Sequence, residues 1–98
     1  MVRIVWTPQS LEDIEAICQF IARDAPRYAQ LFATRVFNAT DRLKIFPESG
    51  RKVPEVNQPK IREIIFGNYR IIYRLQEDEV QILTVYHSAR SLHPDKIT

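Results

Sequence analysis

Apolar side chains recur along this chain with two different periods, and the change from one to the other divides it. Arg3 to Trp6 is short, β-branched and apolar at alternate positions, which predicts a strand. Thr7-Pro8 then signals a helix start, because Thr can cap free backbone donors and Pro at the first helical position forgoes no needed hydrogen bond. Leu11, Ile14, Ile17, Cys18 and Ile21 follow at helical spacing, with Glu12, Asp13, Glu15 and Gln19 expected on the opposite side. "RDAPRYAQ" repeats the signal, with Asp24 as the expected cap and Pro26 in the first turn. Ala29, Phe32, Ala33, Val36, Phe37, Thr40 and Leu43 form the second buried stripe, which Phe46-Pro47 ends. Helices joined this tightly form an antiparallel hairpin whose apolar faces need a sheet to cover.

Downstream the period falls to two. After the polar, proline-bearing loop "PESGRKVPEVNQPK", strands are predicted over 61–66, 69–75 and 80–87, joined by Gly67-Asn68 and by "QEDE". The order β-α-α-β-β-β predicts an α+β fold, a helical hairpin on one face of a mainly antiparallel four-stranded sheet. Residues 1–98 make one domain, with 91–98 a short polar tail expected to be partly mobile.

Strict alternation of side chains along the strands assigns the two faces of the sheet. A two-residue turn at Gly67-Asn68 pairs Phe66 with Tyr69, so Arg62, Ile64 and Phe66 share a face with Tyr69, Ile71 and Tyr73. That set is the more apolar and is expected beneath the helices, with Arg62 near its edge. Ile61, Glu63, Ile65, Arg70, Ile72 and Arg74 take the other face. An even "QEDE" loop would set Arg70 opposite Val85 and bring Gln81, Leu83 and His87 onto the Arg70 face. Arg70 and Arg74 are then expected on an exposed surface that meets an anion or a partner.

Composition adjusts this picture only in places. A formal charge of +2 is too mild to argue for nucleic-acid binding by itself. It is unevenly spread, however: residues 51–74 hold Arg51, Lys52, Lys60, Arg62, Arg70 and Arg74 against Glu55 and Glu63. A single cysteine cannot form an internal disulfide, and no apolar run has the length of a secretory segment or a bilayer span, so the expected location is the cytoplasm.

Glu55, Arg70, His87 and Arg90 are the residues suited to chemistry. A carboxylate or histidine could take a proton from a 2′-hydroxyl, two guanidiniums could neutralise a phosphorane-like charge, and histidine could return the proton, with no metal or other cofactor. The bland alternative is solvated charge and salt bridges such as Glu63 with a cross-strand arginine. Cys18 reads as a small core residue and His93 as a solvated tail residue, and two histidines with one cysteine make no zinc set. Trp6, Tyr69 and Tyr73 read as core, and Tyr86 is the best placed for base stacking.

An N-terminal strand ending in Trp, a long hairpin closing with "LKIFPESGRKVPE", then "REIIFGNYRIIYR" and "ILTVYHSAR" resembles the RelE/ParE superfamily of toxins from bacterial type II toxin-antitoxin modules. The resemblance implies a heteromeric complex with a cognate antitoxin that neutralises the toxin by binding. The wide apolar stripes of the two helices and the local positive charge of the sheet predict that an amphipathic antitoxin helix lies in an apolar groove along the helical hairpin, with an acidic segment near Arg70 and Arg74. The resemblance also implies one of two targets. RelE-like members cut mRNA in the ribosomal A site without a metal, whereas ParE-like members inhibit DNA gyrase by binding. Arg70 and Arg90 match the phosphate-contacting arginines of the nucleases, and Glu55 with His87 resembles the acid-base pair of the YoeB-like branch. The paired catalytic lysines of RelE are absent, and "HSAR" replaces the terminal His-Tyr of YoeB. The hairpin and the "GNYRIIYR" segment are closer to ParE, so gyrase inhibition is the favoured expectation, with the nuclease, or a non-toxic interaction domain keeping the fold, as alternatives. Arg62, Arg70, Arg74, Tyr86 and Arg90 are the expected contacts to target or antitoxin.

Overall fold

The computed structural model describes residues 1–89; Arg90, His93 and the 91–98 tail lie outside the described residues. Strand β1 spans Arg3–Trp6, helices α1 and α2 span Pro8–Ala22 and Pro26–Asp41, and a 3-10 turn, Arg42–Lys44, continues α2. Strands β2, β3, β4 and β5 then span Arg51–Lys52, Ile61–Phe66, Tyr69–Leu75 and Glu79–His87. Helices cover one face of a single sheet ordered β1-β5-β4-β3-β2. Five strands rather than four are present, because Arg51-Lys52, expected in a loop, pairs with Glu63 and Arg62 at the edge. The sheet is mixed, since β1 lies parallel to β5 while the other neighbours are antiparallel.

The helix starts show what local chemistry settles. Thr7 caps α1, its hydroxyl accepting from the Ser10 N–H at 3.2 Å and donating to the Ile82 carbonyl at 2.7 Å, so one side chain ends the strand, starts the helix and ties both to β5. Asp24 does not cap α2. Ala25 occupies that position and offers no side-chain bond, leaving Pro26, which lacks an N–H, to reduce the number of orphan donors. Asp13 does not belong to the solvent side of α1 either. Its carboxylate accepts from the Thr84 hydroxyl and from the Val85 N–H, clasping α1 to β5. Leu11, expected in the buried stripe, is 48% exposed.

Ile14, Phe32, Val36 and Leu43 from the helical segment meet Ile64, Ile71, Tyr73, Val80, Ile82 and Val85 from the sheet. Phe32 sets its ring edge-on to Tyr69, with centroids 5.0 Å apart, and Trp6 does the same to Phe37 at 4.7 Å. Cys18 is packed beside this core, its thiol donating to the Ala29 carbonyl and pushed up in pKa by burial, as an inert core thiol should be. Gly50 is required by a close approach, since a Cβ there would lie 2.5 Å from the Tyr73 hydroxyl and 2.6 Å from the Glu63 carbonyl. Among the described residues, no helix is long and apolar enough to cross a membrane.

Candidate functional site

The turn at Gly67, where φ is 56°, fixes the hairpin register as the alternation requires: Phe66 faces Tyr69, Ile65 faces Arg70 and Glu63 faces Ile72. Arg70 therefore does leave the helix-covered face. It does not reach solvent. Residues 53–60 fold back over the second face as a strap, burying Val53, Ile61 and Ile72 in a small cluster to which Val56, Leu83 and Tyr86 contribute. The strap turns on itself through the Val53 carbonyl, which accepts from the N–H groups of Val56 and Asn57, with Asn57 at φ 54°. Glu55 projects from that turn onto Arg70.

The result is a chain of ion pairs. Glu55 takes both terminal nitrogens of Arg70, at 2.7 and 2.8 Å, in the parallel fork that a guanidinium offers a carboxylate. Arg70 Nε donates to Glu63 at 2.6 Å, and the other Glu63 oxygen accepts from Arg51 Nε at 2.6 Å. Arg70 is 7% exposed and Glu63 1%. Hydrogen bonding to Arg70 holds the Glu55 carboxyl down at about 2, against 4.5 ordinarily, and the two glutamates raise the Arg70 guanidinium further above its ordinary range, Glu55 contributing most. Two carboxylates balance two guanidiniums, so the hairpin does not present the open positive face expected of it.

The anticipated grouping of Glu55, Arg70 and His87 is broken by one residue. Leu75 pairs with Val80, as an even "QEDE" loop demands, and Arg74 with Gln81 follows. A β-bulge then inserts Leu83, because Tyr73 faces Ile82 while Ile72 faces Thr84. Beyond the bulge Arg70 faces Tyr86 and Tyr69 faces His87. His87 consequently lies on the helix side of the sheet, its ring edge-on to Tyr69 with centroids 5.1 Å apart and its Nδ1 accepting from the Ala89 N–H at 3.0 Å. It lines a groove of about 700 Å³ between α1 and the end of β5, together with Ile17, Phe20, Arg23 and Asp13.

The remaining candidates divide between structure and surface. Arg62 is spent on loop carbonyls, donating to Pro59, Glu48 and Gly50 at 3.1 to 3.3 Å. Arg74 is half-buried beside the second cluster, and Tyr86 packs against that cluster rather than standing free as a stacking platform. Glu63 is the residue that sequence reasoning undervalues: a cross-strand arginine partner follows from alternation, but complete burial does not. Among the described residues no group of three His, Cys, Asp or Glu side chains could hold a metal ion.

Comparison with known proteins finds likenesses in sequence and in fold. Residues 4–92 match the family described as ParE toxin of type II toxin-antitoxin system, parDE. The chain is 34% identical over 91 residues to Toxin RelE2 of Caulobacter vibrioides, an alignment covering 92% of this chain and 99% of that one. Putative toxin Y4kP of Sinorhizobium fredii is 35% identical over 88 residues, 88% of each chain. In three dimensions the chain is similar to one from the chromosomal ParDE system of P. aeruginosa, with a TM-score of 0.76 at 20% identity, covering 89% of this chain and 96% of that chain.

Proposed function

The chain belongs to the ParE toxin family of type II toxin-antitoxin systems, and from that premise we propose that it arrests growth by binding DNA gyrase as a stoichiometric poison. One observation carries this reading against the nuclease alternative: Glu55 and Arg70 are locked to each other on one face of the sheet while His87 stands on the other. A carboxyl held at about 2 by a bidentate guanidinium is a weak base, and a general base must reach the proton it removes. A buried guanidinium that gives three of its five N–H groups to Glu55 and Glu63 is poorly placed to meet a phosphate. Nuclease chemistry from these residues would require the strap to open and the faces to be rejoined. A binding toxin requires neither.

The antitoxin partner follows from the same family membership. The similar P. aeruginosa chain comes from a ParDE toxin-antitoxin system. The groove beside α1, walled by Ile17 and Phe20, offers an amphipathic helix an apolar seat, with action and neutralisation both in the cytoplasm. Arg70 and Arg74 are poor acceptors of an acidic antitoxin segment, since the strap covers the first and the second is half-buried. Arg23, on the groove wall, is better placed for that contact. The reading is tested by titrating purified toxin into a gyrase supercoiling assay. Inhibition that saturates near equimolar toxin and is reversed by the antitoxin is expected; full supercoiling at a large excess of toxin would refute it.

A further inference from the structure

The groove beside α1 lies at one end of β4, and a second hollow with apolar lining lies at the other end of that strand. Tyr69, at the start of β4, lines the groove, and Leu75, at its end, lines a hollow of about 530 Å³ bordered by Val2, Ile45, Phe46 and Pro47. At roughly 3.3 Å per residue the two are about 20 Å apart along the strand. Ile45 is 67% exposed and Phe46 64%, consecutive large apolar residues standing in water. A monomer gains nothing from that arrangement, and contiguous exposed apolar surface marks interaction sites.

The exposure is built in. The Arg42 carbonyl accepts from both the Ile45 and Phe46 N–H groups, at 3.2 and 2.9 Å, and the Phe46 carbonyl accepts from Ser49. The Lys44 carbonyl accepts from Val2, and the Pro47 carbonyl from the buried Tyr73 hydroxyl at 2.8 Å. Lys44 and Pro47 thus tie the segment to the body of the domain at either end, and the turn bonds of Ile45 and Phe46 hold the residues between them, so less entropy remains to be lost when a partner settles on it. The charged side chains that line the hollow, Glu48 and Glu77, are both acidic, and Asp78 follows in the β4–β5 turn.

We propose that the Ile45–Phe46 platform docks the protein target of the toxin, through a target segment that carries an apolar side chain flanked by Lys or Arg. Apolar contact with the platform supplies affinity, and Glu48 and Glu77 select the basic flank and set its register. The assignment to the target rather than the antitoxin rests on the gyrase reading and on the separation of the two surfaces: an antitoxin helix in the groove leaves this end of the sheet free.

The test uses the whole protein with Ile45→Ser/Phe46→Ser, Glu77→Lys, and Ile65→Ser as an exposed apolar control on the strap side. Affinities for purified gyrase and purified antitoxin are measured beside thermal melts and growth arrest on induction. The serine pair should weaken gyrase binding at least tenfold, Glu77→Lys about threefold to tenfold with a reduced salt dependence, and Ile65→Ser less than twofold, while antitoxin affinity stays within twofold throughout. Unchanged gyrase binding by the serine pair overturns the proposal. So does an equal loss of antitoxin affinity, which would make the antitoxin the occupant. If the wild type itself fails to bind gyrase, the gyrase reading falls separately, and growth arrest decides the platform. Arrest lost with antitoxin binding intact keeps the platform as the docking site for another basic protein target, and arrest retained overturns it.

Discussion

The two faces of the sheet are made from alternate residues of the same hairpin, yet they are stabilised differently. Beneath the helices, Ile64, Ile71 and Tyr73 join helical side chains in a core that gains its stability from apolar area. On the strap side, among the described residues, the fully buried apolar groups are Val53, Ile61 and Ile72, and Glu63 and Arg70 are buried on the same face. Burying charge is costly, and it is tolerated here because Glu63 is met by an arginine at each oxygen and Arg70 by a carboxylate at each end. Arginine content therefore does not identify a binding face. Arg51, Arg62 and Arg70 hold carboxylates and loop carbonyls, and the partner surfaces proposed above are the hollows at the two ends of β4.

Substitutions on each face put that contrast to the test. The largest loss is expected from Glu63→Ala, which removes the fully buried carboxylate shared by Arg51 and Arg70; breaking a buried pair costs about 3–5 kcal/mol, or on the order of 20 °C in melting temperature for a domain of this size. Survival of the fold within a few degrees would mean that water enters the strap face. On the other side, Ile71→Ala removes a fully buried aliphatic group and should cost about 2–5 kcal/mol in urea melts. Arg70→Ala, if Arg70 were the free anion receptor that its sequence suggests, would leave stability untouched. The structure predicts a loss of about 2–3 kcal/mol, coupled to Glu55 in a double-mutant cycle. A cycle with no coupling would disprove the lock between strap and strand.

Acid should act on the strap face first. Glu55 has a folded-state value of about 2 against 4.5, so its contribution to stability is fully present above pH 4.5 and fades as pH falls toward 2. Replacing Glu55 by Gln should remove stability at neutral pH and flatten the pH dependence in that window. An unchanged acid profile would show that the Arg70 pairing does not persist in solution. The smallest effect is expected from Arg51→Ala. The Arg51 side chain is 60% exposed and its loss leaves Glu63 paired to Arg70, so a change of no more than about 1 kcal/mol should be read.

How much of this is legible in the sequence depends on the range over which each feature is determined. The β3–β4 register can be read because Gly67-Asn68 fixes it locally, and with it the division between Ile71 and Arg70. Thr7 and Pro8 announce α1 for the same reason. The bulge at Leu83 has no such signature. The β4–β5 loop has the length that its residues indicate, and the register changes only partway along β5, where Asp13 of α1 takes the Thr84 hydroxyl and the Val85 N–H. That contact joins α1, near the start of the chain, to its last strand, and no local pattern announces it. Burial of Glu63 and Arg70 is equally hidden, because it depends on Glu55 and the strap folding back from a segment whose composition reads as loop.

Gyrase binding rather than RNA cleavage is the behaviour expected of a protein whose acid-base candidates lie on opposite faces of a sheet. Purified wild-type toxin added to a reconstituted translation reaction, with the message followed by primer extension, measures this. Full-length mRNA with no codon-positioned ends is the predicted result. Cuts in the A site that disappear in the His87→Ala protein would contradict it, and would mean that His87 acts in cleavage from the helix-covered face, without Arg70 beside it.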